Sequence, residues 1–362
     1  MELIYKPDCE EACNRIQAFW EGEILDRPLI NITAPNGQVR KPTPPPPTLE
    51  RKVLDFDYRL TAEEEEIRCT WFGGEAFPTV WPDFGPSITA GCLGGRLQIA
   101  PGDGEQPLYG AVWSYPVIED WDRDFPRIGF DPENPWFRRT LEFVRLAAQR
   151  GKGKYFQVIP DVDGGADTCA DLRGADRLCV DLYENPAWVQ RLLETVRRGN
   201  AEIVNRLYAE VTPYQGGCVS TGFRLWAPGR FYNMRSDLGY LLSPSMFRRT
   251  FLPAMIEEAR MLDYTLFHCH SEDYDTNRAG RQAWLDVVLS IPGVDGVQWP
   301  RWKEDYPRII AAGKFVLADV KTQEIPRFVR EMGPDQMSRI WMLCTAKDRE
   351  EGENIIKFLR RK

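Results

Sequence analysis

The feature that most limits how this chain can fold is a repeated change of hydrophobic period, from 3.6 to 2 and back, through its second half. Helical spacing over 134–150 leads into the apolar run Tyr155-Phe-Gln-Val-Ile-Pro160, and a helix over 186–211, with Asn185 as cap and Pro186 at its first position, leads into Gly217-Cys-Val-Ser-Thr-Gly222. A helix over 244–262, capped by Ser243, leads into Tyr264-Thr-Leu-Phe-His268. Helices over 280–290, 305–312 and 324–332 lead in turn into Val294-Asp-Gly-Val-Gln-Trp299, Lys314-Phe-Val-Leu-Ala-Asp-Val320 and Arg339-Ile-Trp-Met-Leu-Cys344, and a helix over 348–361 closes the chain. With apolar runs near 29 and 77, this makes eight strands. Alternating strands and helices imply parallel pairing through right-handed crossovers, and eight units predict a closed (β/α)8 TIM barrel. A doubly wound open sheet is the alternative, but no glycine-rich phosphate turn follows the first strand.

The remaining segments decorate that barrel. Residues 9–22 carry helical spacing and form an N-terminal extension, and Pro28-Leu-Ile-Asn-Ile-Thr33 reads as a strand ending at Pro35-Asn-Gly. Lys41-Pro-Thr-Pro-Pro-Pro-Pro-Thr48 is a stiff surface connection. Thr61 followed by four glutamates predicts a helix start. From about 84 to 121 glycine, proline and aromatic residues dominate, which predicts an inserted excursion with its own β hairpin inside a single domain spanning 1–362.

Composition removes several classes of function. A net charge of −8, with the only compact basic cluster at Arg360-Arg361-Lys362, argues against nucleic acid as a partner. Neither a signal peptide nor a membrane-spanning run is apparent, so no membrane association and a cytoplasmic location are expected. The nine cysteines lack framework spacing and fit a reducing compartment.

Chemistry concentrates at His268-Cys-His270, the only two histidines of the chain. In a strand, residues two apart share a face, so both imidazoles point the same way. Two partly buried rings held by local hydrogen bonds are one reading; a metal site is the other. The barrel places active sites at the C-terminal ends of strands, which brings His268, His270 and Cys344 toward one another. Two imidazoles and a thiolate are a sound set for zinc with a fourth position open, although Cys344 reads equally as a small buried strand residue. Glu75, Asp161 and Asp237 are the candidate catalytic carboxylates, each with an alternative role as a loop or cap residue. Asp163, Arg224, Trp226, Gln298, Trp299 and Lys321 are candidates to shape a substrate pocket.

Gly73-Gly-Glu-Ala-Phe-Pro-Thr-Val-Trp-Pro-Asp-Phe-Gly-Pro86, Trp226-Ala-Pro-Gly-Arg-Phe-Tyr232, His268-Cys-His270 and Ser290-Ile-Pro-Gly-Val-Asp-Gly-Val-Gln-Trp-Pro300 together resemble the uroporphyrinogen decarboxylase-like superfamily, from about residue 20 to the C-terminus. Its decarboxylases carry Arg-Gln-Ala-Gly-Arg near the first strand, where this chain has Asn31-Ile-Thr-Ala-Pro-Asn-Gly-Gln38. The resemblance is therefore closer to the branch of zinc-dependent methyltransferases that exchange methyl groups between a corrinoid protein and a thiol. That branch carries His-x-Cys on the fifth strand and a cysteine on the eighth; His268 and Cys344 match, and His270 replaces the other cysteine.

The resemblance implies Zn2+ bound by His268, His270 and Cys344, a small-molecule methyl donor or thiol acceptor, and methylcobamide supplied by a partner corrinoid protein. The chain has no Asp-x-His-x-x-Gly corrinoid signature of its own. Two other readings remain: a metal-free carboxy-lyase acting on an acidic substrate, and a non-catalytic corrinoid-partner scaffold.

Overall fold

The computed structural model describes residues 3–100, 111–269, 278–299 and 303–360. Strands β1 (Leu29–Pro35) and β2 (Thr70–Gly74) pair antiparallel, and the short β3 (Thr79–Val80) follows. The glycine-rich excursion contributes an antiparallel pair, β4 (Arg96–Ala100) with β5 (Ala111–Tyr115). Next come β6 (Phe156–Gln157), β7 (Cys218–Val219), β8 (Trp226–Ala227) and β9 (Phe231–Met234). The chain then runs through β10 (Tyr264–Phe267), β11 (Gly296–Gln298), β12 (Phe315–Asp319) and β13 (Ile340–Thr345).

The main sheet has the order β2-β1-β13-β12-β11-β10-β9, parallel throughout except for β2. First and last long strands are thus neighbours, as in a barrel. Separately, β3 pairs parallel with β6, a bridge from Val158 to Val219 connects β6 with the β7 segment, and β7 pairs antiparallel with β8. Among the described residues no ladder joins β1 to β3 or β7 to β9, so the expected closed ring is not continuous in its hydrogen bonds. What stands is a mixed α/β fold around a central, mostly parallel sheet.

The helices form where sequence chemistry favours them. Asn134 accepts from the backbone amides of Trp136 and Phe137 with Pro135 opening the helix, Ser243 caps Met246, and Asp348 caps Glu351. Three expectations need correction. The helix expected from Thr61 begins at Phe56, because Asp55 accepts from Tyr58 and starts it a turn and a half sooner. The helix expected over 244–262 is two, Pro244–Thr250 and Leu252–Ala259, because Pro253 has no amide hydrogen to continue the first. Finally β2, β8 and β9 are additional to the expected strands, β2 as an antiparallel partner of β1, β8 of β7, and β9 as a parallel partner of β10.

Strands β10 to β13 are buried on both faces, which explains their continuous apolar runs. The helix Cys9–Trp20 closes their N-terminal ends: Phe19 packs edge-on to Phe315 and Trp341, both at 5.5 Å between ring centroids, and Trp20 lies 4.5 Å from Tyr264. Burying an aromatic side chain of this kind contributes about 1.5–3 kcal/mol. With that end sealed by aromatic packing, a ligand has its access at the C-terminal ends. No described helix is long and apolar enough to cross a membrane.

Candidate functional site

Parallel strands deliver their C-terminal ends to one side of the sheet, and the polar residues follow those ends in order. His268 comes directly after β10, and its backbone amide donates to the Met234 carbonyl at 2.7 Å. Its ring Nδ1 is hydrogen-bonded to Gln298 Oε1, from the last residue of β11. Gln298 in turn hydrogen-bonds the carboxylate of Asp319, the last residue of β12. Phe223 stands edge-on to the His268 ring at 5.1 Å. Asp319 is in register with Leu343, which sets Cys344 one residue further along β13. Three adjacent strand ends are therefore joined by side-chain hydrogen bonds, with Cys344 on the fourth.

Beside these residues opens a cavity of about 700 Å3, lined among others by Asn31, Phe223, Arg224, Lys303, Lys321 and Cys344. Asn31 is fixed by accepting from the Trp341 indole at 2.8 Å. Arg224 has a φ of 58°, a left-handed conformation that costs a side chain on the order of 1–3 kcal/mol and is retained where the surroundings hold it. Burial pushes the Cys344 thiol up to about 11.

Next to His268 on the same side lies a second cluster. Arg235, directly after β9, ion-pairs with Asp161 at 2.5 Å and with Asp163, and lies 3.9 Å from Asp237. The Tyr232 hydroxyl donates to Asp161 at 3.4 Å, and the Asp161 amide donates to Asp83 at 2.9 Å. One guanidinium thus faces several carboxylates. Burial, augmented by Asp161, raises Asp83 to about 6; burial also lifts Asp163 well above the carboxylate range, with Arg235 opposing. Arg235, Tyr232 and Asp83 are absent from the sequence-derived candidates. The signal was present: Phe231-Tyr-Asn-Met is a short apolar run ending in Arg235-Ser-Asp237.

Not every candidate joins this face. Glu75 lies at the start of β1, where it accepts from Arg27 at 2.8 and 2.6 Å and from the Ile30 amide at 2.9 Å. It is a buried ion pair away from the cavity. Trp226 is buried in β8 against Phe77, and Trp299 is fully buried with its indole donating to Asp305 at 3.0 Å. Both belong to the core rather than to the cavity wall. Lys321 and Arg224 do line the cavity.

Among the described residues no three His, Cys, Asp or Glu side chains come close enough to hold a metal ion, and His270 lies outside those residues. The chemistry of the two described donors is compatible with zinc. A ring held through Nδ1 by an oxygen acceptor is oriented to present Nε2 to a metal, and a buried thiol keeps its proton until a cation displaces it.

The fold as a whole is similar to that of a methyltransferase from Methanosarcina mazei: the match covers 97% of this chain and 98% of that one, with a TM-score of 0.58 and 12% identity. At that identity the likeness is one of fold. No family model and no curated protein matches the chain.

Proposed function

We propose that this protein is a methyltransferase of the uroporphyrinogen decarboxylase-like kind, moving a methyl group to or from a corrinoid carried by a separate protein. The observation that carries the reading is the linked row of strand ends, His268–Gln298–Asp319, whose Asp319 lies with Cys344 on the wall of a cavity of about 700 Å3. Sharing its fold over nearly the whole chain with a methyltransferase supports the same reading. His268, His270 and Cys344 are the residues that would hold zinc. Bound there, zinc would supply the positive charge that acidifies a substrate thiol or hydroxyl near neutral pH.

The chain's own residues prepare that step. Gln298 holds the His268 ring through Nδ1, and Phe223 packs against its edge, which fixes the ring plane. The cavity wall carries Arg224, Lys303 and Lys321 beside Asp319 and Glu324, and with Lys303 paired to Glu324 at 3.5 Å it is Arg224 and Lys321 that would orient an acidic group on the substrate. The same wall favours a second reading, a metal-free carboxy-lyase that uses these cations to hold a carboxylate.

Metal analysis of protein purified without added metal separates the two, alongside the variant His268→Ala/His270→Ala. The first reading expects about one zinc per chain in the parent and none in the variant, together with either demethylation of methylcobamide by a thiol, leaving a thioether and cob(I)amide, or methylation of cob(I)amide by a methoxy compound, leaving the free hydroxyl. A parent that stays metal-free after reconstitution with zinc overturns it, and decarboxylation insensitive to chelators establishes the second.

A further inference from the structure

Behind the Arg235 cluster lies a chamber of about 30 Å3 that the proposed reaction does not use. Asp163 reaches it from the loop after β6, Asn200 and Arg197 from the helix Pro186–Gln215, and Glu258 from the helix Leu252–Ala259. Four polar atoms of its lining residues make no hydrogen bond, Glu258 Oε1, Asn200 Oδ1, Asp163 Oδ2 and Arg235 Nε; the last two belong to ion-paired side chains, and Asn200 is only 7% exposed. The backbone is shaped around them: a Cβ on Gly164 would stand 2.3 Å from Glu258 Oε1 and 2.8 Å from Asn200 Nδ2.

Buried acceptors without donors are costly, and native proteins pair them with protein groups or ordered water. The volume is that of one water molecule. A water has two hydrogens for the two acceptors outside the ion pairs, Glu258 Oε1 and Asn200 Oδ1, and lone pairs to accept in turn. A bare cation suits the chamber less well. Hard cations collect six or more oxygens, whereas this wall offers two carboxyl groups and one amide and also contains Arg197 and Arg235.

We propose that the chamber binds a single ordered water that donates to Glu258 Oε1 and Asn200 Oδ1, forming a proton-holding site behind Asp163. Glu258 then shares the chamber with the Asp163 carboxyl, whose ion-pair partner Arg235 also pairs with Asp161 at the strand ends. The groups facing Glu258 are Arg197, Asn200, Asp163, Asp167, Cys169 and Arg235. Burial, with Arg197 opposing, raises Glu258 to about 7. A raised carboxyl binds its proton more tightly folded than unfolded, so stability falls as pH climbs from 4.5 toward about 7 and is then level. None of this depends on the methyl-transfer reading.

Crystals of the parent grown with rubidium in place of sodium and potassium test the occupant. A density peak in the chamber without anomalous signal is expected; an anomalous peak or an empty chamber overturns the proposal. Glu258→Gln tests the proton. It keeps an acceptor and the volume, so its melting temperature should gain on the parent by a few degrees between about pH 5 and about pH 8. A deficit equal at both pH values overturns it. Should the variant fail to fold, carbon-13 titration of the parent decides instead: a glutamate carboxyl with its midpoint near 7 is expected, and midpoints all in the ordinary carboxylate range overturn the assignment.

Discussion

His268 Nδ1 and Gln298 Oε1 meet across the ends of two adjacent parallel strands, β10 and β11. The bond fixes which face of the imidazole points away from Gln298, and Gln298 is itself tied to Asp319. Outer partners of this kind typically change metal affinity by about 10–100-fold when removed. Gln298→Leu should therefore weaken zinc binding by about that factor, measured by competition with a chromophoric chelator, while the circular dichroism spectrum stays that of the parent. Unchanged affinity would show that the pair is structural only.

The Glu75–Arg27 pair leads to a different expectation. Both glutamate oxygens are engaged, and the side chain is fully buried. Replacing Glu75 by Leu leaves the Arg27 guanidinium buried without its counter-charge, a change that costs about 3–5 kcal/mol. Urea unfolding should record that loss, while metal content per folded chain remains at the parent value. A drop in metal content without a loss of stability would return Glu75 to the reacting site.

The contrast between Gln298 and Glu75 shows what was legible in the sequence. Strands such as β12 and β13 are continuous apolar runs because both faces are buried, so their positions and the polar residues at their ends could be read directly. Glu75 follows β2, a strand absent from the expected set, which runs antiparallel to β1 and delivers its end to the opposite side. Direction is a tertiary property and leaves no mark on residue period. For Trp226 and Trp299 the obstacle was of another sort, since a tryptophan lining a pocket and one filling the core present the same letters. β9 was missed because four residues next to the β8 turn give too short a period to separate from a loop. With it went Arg235, the cation that organises Asp161 and Asp163.

Arg235 should accordingly behave as the keystone of its cluster. Arg235→Met removes the only cation within ion-pair distance of Asp161 and Asp163 among the described residues. Stranding buried carboxylates costs about 3–5 kcal/mol near neutral pH. Arg235 is the charge that opposes the upward shift of Asp163, so without it that carboxyl holds its proton more tightly, and the deficit relative to the parent should shrink as pH falls from neutrality. Urea denaturation of both proteins across that range provides the check, and a deficit independent of pH would mean that Arg235 stabilises through packing alone.

Glu63 gives the last expectation. It accepts from the Trp81 amide at 2.9 Å, with Arg59 and Arg224 nearby. Burial outweighs those cations and raises its carboxyl to about 7 from an ordinary value of 4.5. The folded state therefore retains the proton more strongly than the unfolded chain. The contribution of Glu63 to stability is highest below pH 4.5, declines up to about 7 and is then level. Glu63→Gln keeps an oxygen for Trp81 and has nothing to ionise, so it should match the parent in acid and exceed it by on the order of 2 kcal/mol above neutrality. The cations respond as well: with the negative charge gone, Arg224 on the cavity wall faces less competition for an acidic ligand. Binding of a small carboxylate or sulfonate should then tighten above neutrality and stay unchanged in acid, as read by calorimetry on parent and variant. Equal affinity at both pH values would separate Arg224 from Glu63 and limit Glu63 to supporting the Trp81 turn.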